Sequence, residues 1–300
     1  MQRTRLDIRD WEAFVTLVQL GHFGNTADAL GITQSAVSQR LSKLESDLQL
    51  KLMMRTSRGA EPTPEGARLL LPARALIAAK RAALEAAEAI RKNGARPIRL
   101  VLSNAVAHTT LLPRLKVALE AALEVDFFVD VLAANDVEAT LLSGENDLAV
   151  TTLPISRPGV EEKLVATLPM GIALPAETAL QSIKIEELCR HPLLLLPRET
   201  EPELFDALIS IATQAGHTLQ IKHSVVSFPS ILAMVQMGMG WGLIPLAMAE
   251  ATPKGVKVLP FELAASPSIR VRFAWRAEDH RVRDLARLVG ADIALADQSS

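Results

Sequence analysis

The order of apolar and polar residues at the start of the chain predicts three helices. Apolar side chains recur at steps of three and four over residues 7–20, which predicts a first helix with one buried face. Residues 26–30 favour a second, shorter helix that ends at Gly31, because glycine readily adopts the positive φ of a helix end. A third helix begins at Thr33 or Gln34 and carries a new apolar stripe. That stripe consists of Ala36, Val37, Leu41 and Leu44.

Two short helices joined by a tight turn that contains glycine are typical of a helix-turn-helix. The side chains off the apolar stripe are short polar groups, amides and cations, which suit base edges and phosphates in the major groove. The candidate DNA-binding residues of this segment are Thr33, Gln34, Ser35, Ser38, Gln39, Arg40 and Lys43. The spacing alone fits an ordinary helical hairpin with a solvated face equally well.

Residues 52–63 lie between two predicted helices and are rich in turn formers. In this segment Arg55 and Arg58 flank a Thr-Ser pair. A two-stranded wing would place both arginines beside the DNA backbone or the minor groove, where cations and hydroxyls find phosphates. The alternative is a solvated loop held by salt bridges.

A long helix begins at Thr63, which can act as its cap, with Pro64 in the first turn. Apolar residues recur every seven positions along it, which gives one imperfect stripe. The positions are Leu69, Leu76, Ala83 and Ile90. Pro72 predicts a kink or local loosening. A long helix with a single apolar stripe needs a partner, which is either a second chain or another part of its own domain.

Beyond a hinge at residues 93–97, short strands alternate with amphipathic helices, which predicts a parallel sheet with right-handed crossovers. Residues 160–175 predict two strands and the passage into a second lobe. The last strand, Arg270–Trp275, and the closing helix, Val282–Ala294, are expected to return to the first lobe. The predicted fold class is multi-domain: an α-helical winged helix-turn-helix, a long linker helix, and an α/β two-lobed domain like a periplasmic binding protein, with a ligand cleft between its lobes.

In such a sheet a ligand sits beyond the carboxyl ends of strands, near the N-termini of helices. Polar residues at those positions are candidates for binding a small-molecule effector. The set is Ser103, Asn104, Thr109, Asn135, Thr152, Arg198, Thr200 and Phe228. Helix capping explains the serine, threonine and asparagine members equally well. Arg198 is the single cation of the set, and it can either bind an acid or pair with Glu199 or Glu201.

Composition and charge exclude several classes of protein. The 300 residues carry a net charge of −2, which is not the balance of a non-specific nucleic-acid binder. The single cysteine, Cys189, excludes an internal disulfide, and no Cys/His cluster at metal spacing predicts a metal site. No apolar run reaches the ~20 residues of a membrane span, and no secretory h-region follows the N-terminal cations. We therefore expect a cytoplasmic protein without a metal or a cofactor.

The segment around the predicted helix-turn-helix resembles the N-terminal signature of LysR-type transcriptional regulators. The matching positions are Ala27, Leu30, Ile32, Gln34, Ser35, Ala36, Val37, Ser38, Leu41, Leu44 and Glu45, then Leu52, Arg55, Arg58, Thr63 and Gly66. The resemblance is strong over residues 6–66 and continues to about residue 290. Small departures fall at packing or turn positions, where Gln49, Met53, Met54 and Glu65 replace the residues that are frequent in the family.

The resemblance implies three parts: a DNA-binding domain over residues 1–63, a linker and dimerisation helix over 64–94, and an effector-binding domain over 95–300. Within the last part, lobe I takes about 97–162 and 267–300, and lobe II about 163–266. The resemblance favours the wing and a linker helix that pairs two chains, and family members are commonly tetramers. It also implies that Ser103 and Asn135 fall where the family often contacts its effector.

We therefore expect a transcription regulator whose partners are double-stranded DNA, a small-molecule effector and further copies of the chain, with RNA polymerase as an additional candidate. Three other classes of protein share part of this pattern. The DNA-binding head speaks against a solute-binding protein. The sequence contains no Gly-x-Ser-x-Gly motif, Walker loop or Cys/His pair, which speaks against an enzyme. A DNA-binding regulator that needs no effector stays open.

Overall fold

The computed structural model describes residues 7–57, 59–92, 94–109, 111–122, 126–263 and 266–297. The chain divides into two compact units. The first comprises the residues up to Arg96 together with Leu142–Glu145, and the second comprises the remainder from Pro97 onwards. None of the described helices combines the length and the hydropathy needed to cross a membrane.

Three helices and a two-stranded ribbon begin the first unit. They are α1 (Ile8–Leu20), α2 (Phe23–Leu30), α3 (Gln34–Leu48), β1 (Met53–Thr56) and β2 (Gly59–Pro62). The predicted helix end at Gly31 is confirmed, since this residue has a φ of 62° at the C-terminus of α2. Thr33 begins α3, where its hydroxyl accepts the N–H of Ala36 at 3.2 Å. The two strands pair antiparallel, so the predicted wing is confirmed, while Arg58 lies outside the described residues.

A small apolar core holds the helices of this head together. Phe14 and Leu17 of α1 are fully buried against Leu44 of α3 and Leu52 before the wing. These side chains occupy the faces that the three- and four-residue spacing predicts. The polar face of α3 is thereby turned away from the core.

A buried carboxylate joins α3 to the wing. Glu45 accepts the backbone N–H groups of Leu52 and Met53 at 2.9 and 3.2 Å and pairs with the Lys51 ammonium. Burial by itself would raise the pKa of Glu45, but the ammonium and the two N–H groups outweigh it and lower the pKa. The start of the wing is therefore fixed to the last turn of α3 by three hydrogen bonds to one side chain.

The long helix α4 (Pro64–Arg91) follows the wing and contains 28 residues. The chain stays helical through Pro72, which removes a single main-chain donor. Ala73 is buried in the core of the head and Ala78 is buried further along the helix, whereas Leu76, Leu84 and Ile90 are exposed. Leu84 and Ile90 have relative exposures of 62% and 77%. The first part of α4 thus belongs to the head, and its last turns carry an apolar surface.

The second unit alternates strands and helices, as predicted. Its first elements are β3 (Ile98–Ser103), α5 (Asn104–Ala107), α6 (Leu111–Ala122), β4 (Phe127–Leu132), α7 (Ala134–Leu142), β5 (Leu148–Thr151) and β6 (Val160–Pro175). The middle elements are α8 (Ile185–Leu188), β7 (Pro192–Leu195), α9 (Pro202–Gln214), β8 (Gln220–Ser224), α10 (Phe228–Gln236) and β9 (Trp241–Pro245). The unit ends with a 3₁₀ helix (Leu246–Ala251), β10 (Val256–Pro260), β11 (Ser268–Arg276) and α11 (His280–Asp297).

These strands form one mixed sheet in the order β4-β3-β5-β11-β6-β9-β7-β8, with β10 also paired to β6. Among the strands named above, the parallel pairs fall in two groups, β4-β3-β5 and β9-β7-β8. Between them β11 and β6 run antiparallel to their neighbours. The two parallel groups lie in the segments predicted as lobe I and lobe II, and the sheet continues from one to the other.

The prediction of two strands over residues 160–175 is wrong, because this segment is the single 16-residue strand β6. Its first part pairs with β11 as far as Pro169, and from Met170 it pairs with β9 and β10. Pro169 has no N–H to donate, and it stands where the strand changes partners. The proline thus marks a change of neighbour rather than a strand end.

Gly66 offers a test of the joint between the wing and α4. A Cβ at this position would lie 2.1 Å from the carbonyl oxygen of Leu52, so Gly66→Ala should lower the free energy of unfolding by about 1–3 kcal/mol. Gly24, also in a helix of the head, has no atom within 4 Å of the corresponding position. Gly24→Ala should leave stability unchanged or raise it by roughly 0.5–1 kcal/mol. Urea denaturation of both variants measures the difference, and equal midpoints would contradict the close approach.

Candidate nucleic-acid interface and ligand cleft

The outer face of α3 carries the predicted DNA-binding side chains. Gln34, Ser35 and Gln39 are exposed, and Ser38 and Arg40 are half-buried beside them. The Thr33 hydroxyl, which caps the helix, also lies 2.9 Å from the Ser35 hydroxyl. The helix therefore presents two amides and two hydroxyls over residues 34–39, and the Arg40 guanidinium follows directly after Gln39. This is the donor and acceptor inventory that reads base edges.

Lys43 lies further along α3 and is engaged within the head. Its ammonium pairs with the carboxylate of Asp10, a buried residue of α1, at 2.5 Å. This contact raises the pKa of Lys43. The side chain keeps half of its surface exposed. Its positive charge is thus held at a fixed place beside the polar face of α3.

The wing adds a cation next to that face. The Arg55 guanidinium lies over the Phe23 ring, with 4.9 Å between its central carbon and the ring centroid. Together with Ser38, Ser42 and Lys51 it lines a hollow of about 220 Å³ between α3 and the wing. Packing against an aromatic face orients a long side chain without neutralising its charge.

A second hollow, of about 450 Å³, lies in the α/β unit. It opens where β3 and β4 end on one side and where the loops before α9 and α10 begin on the other. The lining residues are Asn104, Ala105, His108, Ala133, Ala134, Leu196, Thr200, Val226, Ser227 and Phe228. We call this hollow the cleft. It occupies the carboxyl ends of parallel strands, the position predicted for a ligand.

The cleft brings together three of the predicted effector residues, Asn104, Thr200 and Phe228. Ser103 precedes Asn104 and is fully buried, and its hydroxyl has no hydrogen-bond partner among the described residues. Asn135 follows the lining residue Ala134 in the first turn of α7 and is exposed.

The other three predicted residues do not line the cleft. The Thr109 hydroxyl donates to the Val106 carbonyl at 2.8 Å and caps a turn. Arg198 makes two hydrogen bonds of 2.7 Å to Asp206 of α9, and neither of its predicted acidic neighbours is the partner. The Thr152 hydroxyl donates to Glu201. Sequence reasoning missed the apolar lining residues Leu196 and Val226, which carry no polar group to mark them.

Two family models match the chain. The bacterial regulatory helix-turn-helix protein, lysR family, matches residues 8–67, and the LysR substrate binding domain matches residues 91–291. The chain belongs to the LysR family. The DNA-binding fold of residues 8–67 and the two-lobed fold beyond residue 91 are therefore those of a LysR-type DNA-binding transcriptional regulator with an effector-binding domain.

Relatives and solved structures of the LysR family align over almost the whole chain. The HTH-type transcriptional regulator IlvR of Caulobacter vibrioides is 27% identical over 304 residues, covering 97% of this chain and 100% of IlvR. ShiR of Corynebacterium glutamicum is 27% identical over 296 residues, covering 97% and 98%. The LysR family transcriptional regulator CbnR has a TM-score of 0.77 at 17% identity, covering 96% of this chain and 99% of that one. CbnR complexed with its target DNA has a TM-score of 0.74 at 18% identity, covering 95% and 99%. Both structures share the fold of this LysR-family chain.

A buried acid links the two sides of the effector-binding domain. Glu201, just before α9, accepts a hydrogen bond from the Thr152 hydroxyl at the end of β5. Burial raises its pKa from 4.5 to about 7, against the Thr152 hydrogen bond, and the nearby Glu203 carboxylate adds to the rise while Arg272 opposes it. Glu201 is therefore largely protonated below neutral pH, where a protonated carboxyl satisfies a buried site better than a carboxylate.

The raised pKa of Glu201 makes stability depend on pH. The unfolded chain releases the proton near pH 4.5 and the folded chain near pH 7, so the free energy of unfolding falls as pH rises between these values. The contribution of this group is about 1 kcal/mol per pH unit. Glu201→Gln keeps a neutral hydrogen-bonding group and should remove that slope. Chemical denaturation of both proteins from pH 4.5 to 7.5 measures it, and parallel profiles would contradict a raised pKa.

Proposed function

We propose that this LysR-family protein reads DNA with the polar face of α3, and that a small molecule in the cleft modulates the reading. The observation that carries the proposal is the exposed row of amides and hydroxyls on α3, fixed by the Thr33 cap and by Glu45. Gln34, Ser35, Ser38 and Gln39 take base edges, with Thr33 at the start of the helix. Arg40, Lys43, Arg55 and Arg58 take phosphates. We propose no catalytic activity.

Gln34 and Arg55 should respond differently in DNA binding. Gln34→Ala should weaken specific binding by about 1–3 kcal/mol and relax the preference at one base pair. Arg55→Ala should weaken binding to all sequences and reduce the slope of log affinity against log salt by about 1. Fluorescence anisotropy over a salt series, with operator and scrambled DNA, separates the two effects. Lys254→Ala removes a charge from the effector-binding domain and should change neither quantity, and a base preference that survives Gln34→Ala intact would remove Gln34 from the reading face.

The exposed end of α4 supports pairing of two chains. Leu76, Ala83 and Ile90 are exposed and recur every seven residues, with Leu84 beside them. An apolar stripe of this length is stabilised by a second helix, and a dimer sets the spacing of two half-sites. At the edge strand β4, exposed Phe128, Val129 and Val131 support a further contact between effector-binding domains, as in a tetramer.

Replacing Leu84 and Ile90 together by Glu should dissociate the dimer, because two carboxylates would then face the seam. Analytical ultracentrifugation should show a smaller species, and a footprint that covers paired half-sites should shorten or vanish. Ala67→Glu, at an exposed position on the other side of α4, is the matched control and should keep the wild-type mass. An unchanged mass for the double variant would remove the α4 stripe from the interface.

Modulation follows from the position of the cleft between two parallel groups of strands. A ligand that contacts both groups favours one relative orientation of them. If DNA binding depends on that orientation, the two binding events are coupled by a free energy of ~1–3 kcal/mol. Contact of the bound regulator with RNA polymerase is the expected route to transcription. Footprints with and without a candidate effector test the coupling. A ligand that binds and leaves DNA affinity, bending and footprint unchanged would favour the effector-independent regulator.

A further inference from the structure

We infer that the effector is an uncharged small molecule with an apolar body and hydroxyl, carbonyl or amide groups, rather than a carboxylate or a phosphate. The inference rests on the proposed function, since it names the class of ligand for the same cleft. Three independent features of the cleft support it: the chemistry of its lining, the state of its backbone donors, and the charges that surround it.

The described lining contains no Lys, Arg, Asp or Glu. Ala105, Ala133, Leu196, Val226 and Phe228 give it apolar walls on both sides. A ligand anion buried against such walls loses its hydration without gaining a counter-charge, which costs several kcal/mol. An apolar ligand body instead gains free energy by leaving water.

One of the helices that begin at the cleft, α10, has few backbone donors left for an anion. α10 begins at Phe228, directly after Ser227. The Ser227 hydroxyl accepts the N–H of Ser230 at 3.3 Å, and Pro229 at the second position has no N–H. Anion binding at a helix N-terminus depends on several N–H groups that point at the ligand. Here one of them is capped and another is missing.

The charged groups around the cleft leave little attraction for an anion. Asp136 stands in the first turn of α7, Glu201 before α9 is largely protonated below neutral pH, and Glu203 pairs with Arg270 at 2.6 Å. The neighbouring cations are engaged elsewhere. Arg198 holds Asp206, and Arg272 donates to the Thr152 carbonyl at 2.8 Å and lies 3.9 Å from Glu203.

The polar groups that remain suit neutral partners. Asn104 offers an amide, Thr200 offers a hydroxyl, and the His108 imidazole both donates and accepts when neutral, whereas the Ser227 hydroxyl is engaged with Ser230. Behind Asn104, the buried Ser103 hydroxyl has no partner among the described residues. Ser103 itself is fully buried and does not line the cleft, so the ligand contacts proposed here are those of Asn104, Thr200 and His108.

The test uses full-length protein and matched pairs of probes that share a hydrocarbon body, namely benzamide with benzoate and isovaleramide with isovalerate. Ligand-observed NMR titration measures each affinity at constant pH and salt. We expect each amide to bind about tenfold or more tightly than its carboxylate. Thr200→Arg places a cation in the cleft and should reverse the order within each pair. Thr200→Gln has a similar length without the charge and should keep the wild-type order.

Carboxylates that bind the wild-type protein as tightly as the amides would overturn the inference. So would a Thr200→Gln variant that reverses the order as Thr200→Arg does, because charge would then not decide the preference. The DNA footprint is measured separately with the bound amide. An amide that occupies the cleft without changing the footprint leaves the class of ligand standing and contradicts only the coupling in the proposed function.

Discussion

The pairing of β6 with three other strands is the constraint on which the effector-binding domain depends. Val160–Pro169 follows β11, and Met170–Pro175 follows β9 on one side and β10 on the other. The two parallel groups of strands are therefore connected through one continuous backbone. Each group keeps its main-chain hydrogen bonds to its own part of β6, so a twist of the strand near Pro169, where the partners change, keeps those bonds. A twist of β6 is therefore the motion of lowest free-energy cost by which a ligand in the cleft would change the angle between the two groups.

Local sequence signals were sufficient for the DNA-binding head. Gly31 and Thr33 determine where α2 ends and α3 begins through backbone preference and side-chain capping, and both effects depend on a few neighbouring residues. The apolar spacing similarly predicts which residues of α1 are buried. β6 shows the limit of such signals. Pro169 has the same chemistry at a strand end and at a change of partner, so only the positions of β9 and β11 decide between them.

The sequence predicts the position of the cleft better than it predicts the residues that line it. Ligands sit at the carboxyl ends of parallel strands, and this rule correctly predicts Asn104, Thr200 and Phe228 as residues of the cleft. Arg198 pairs with Asp206 because the direction of α9 places that carboxylate within reach. This direction is a property of the folded domain and cannot be read from the residues next to Arg198. Leu196 and Val226 were missed because apolar lining residues have the same sequence pattern as core residues.

The three hydrogen bonds that Glu45 accepts have a thermodynamic consequence for DNA binding. The wing and α3 already share a rigid connection in the protein alone, so their relative position does not have to be ordered at the DNA. Association of this head then loses little conformational entropy within the protein. Its heat-capacity change should follow the surface buried at the interface, without the additional term that accompanies folding on binding.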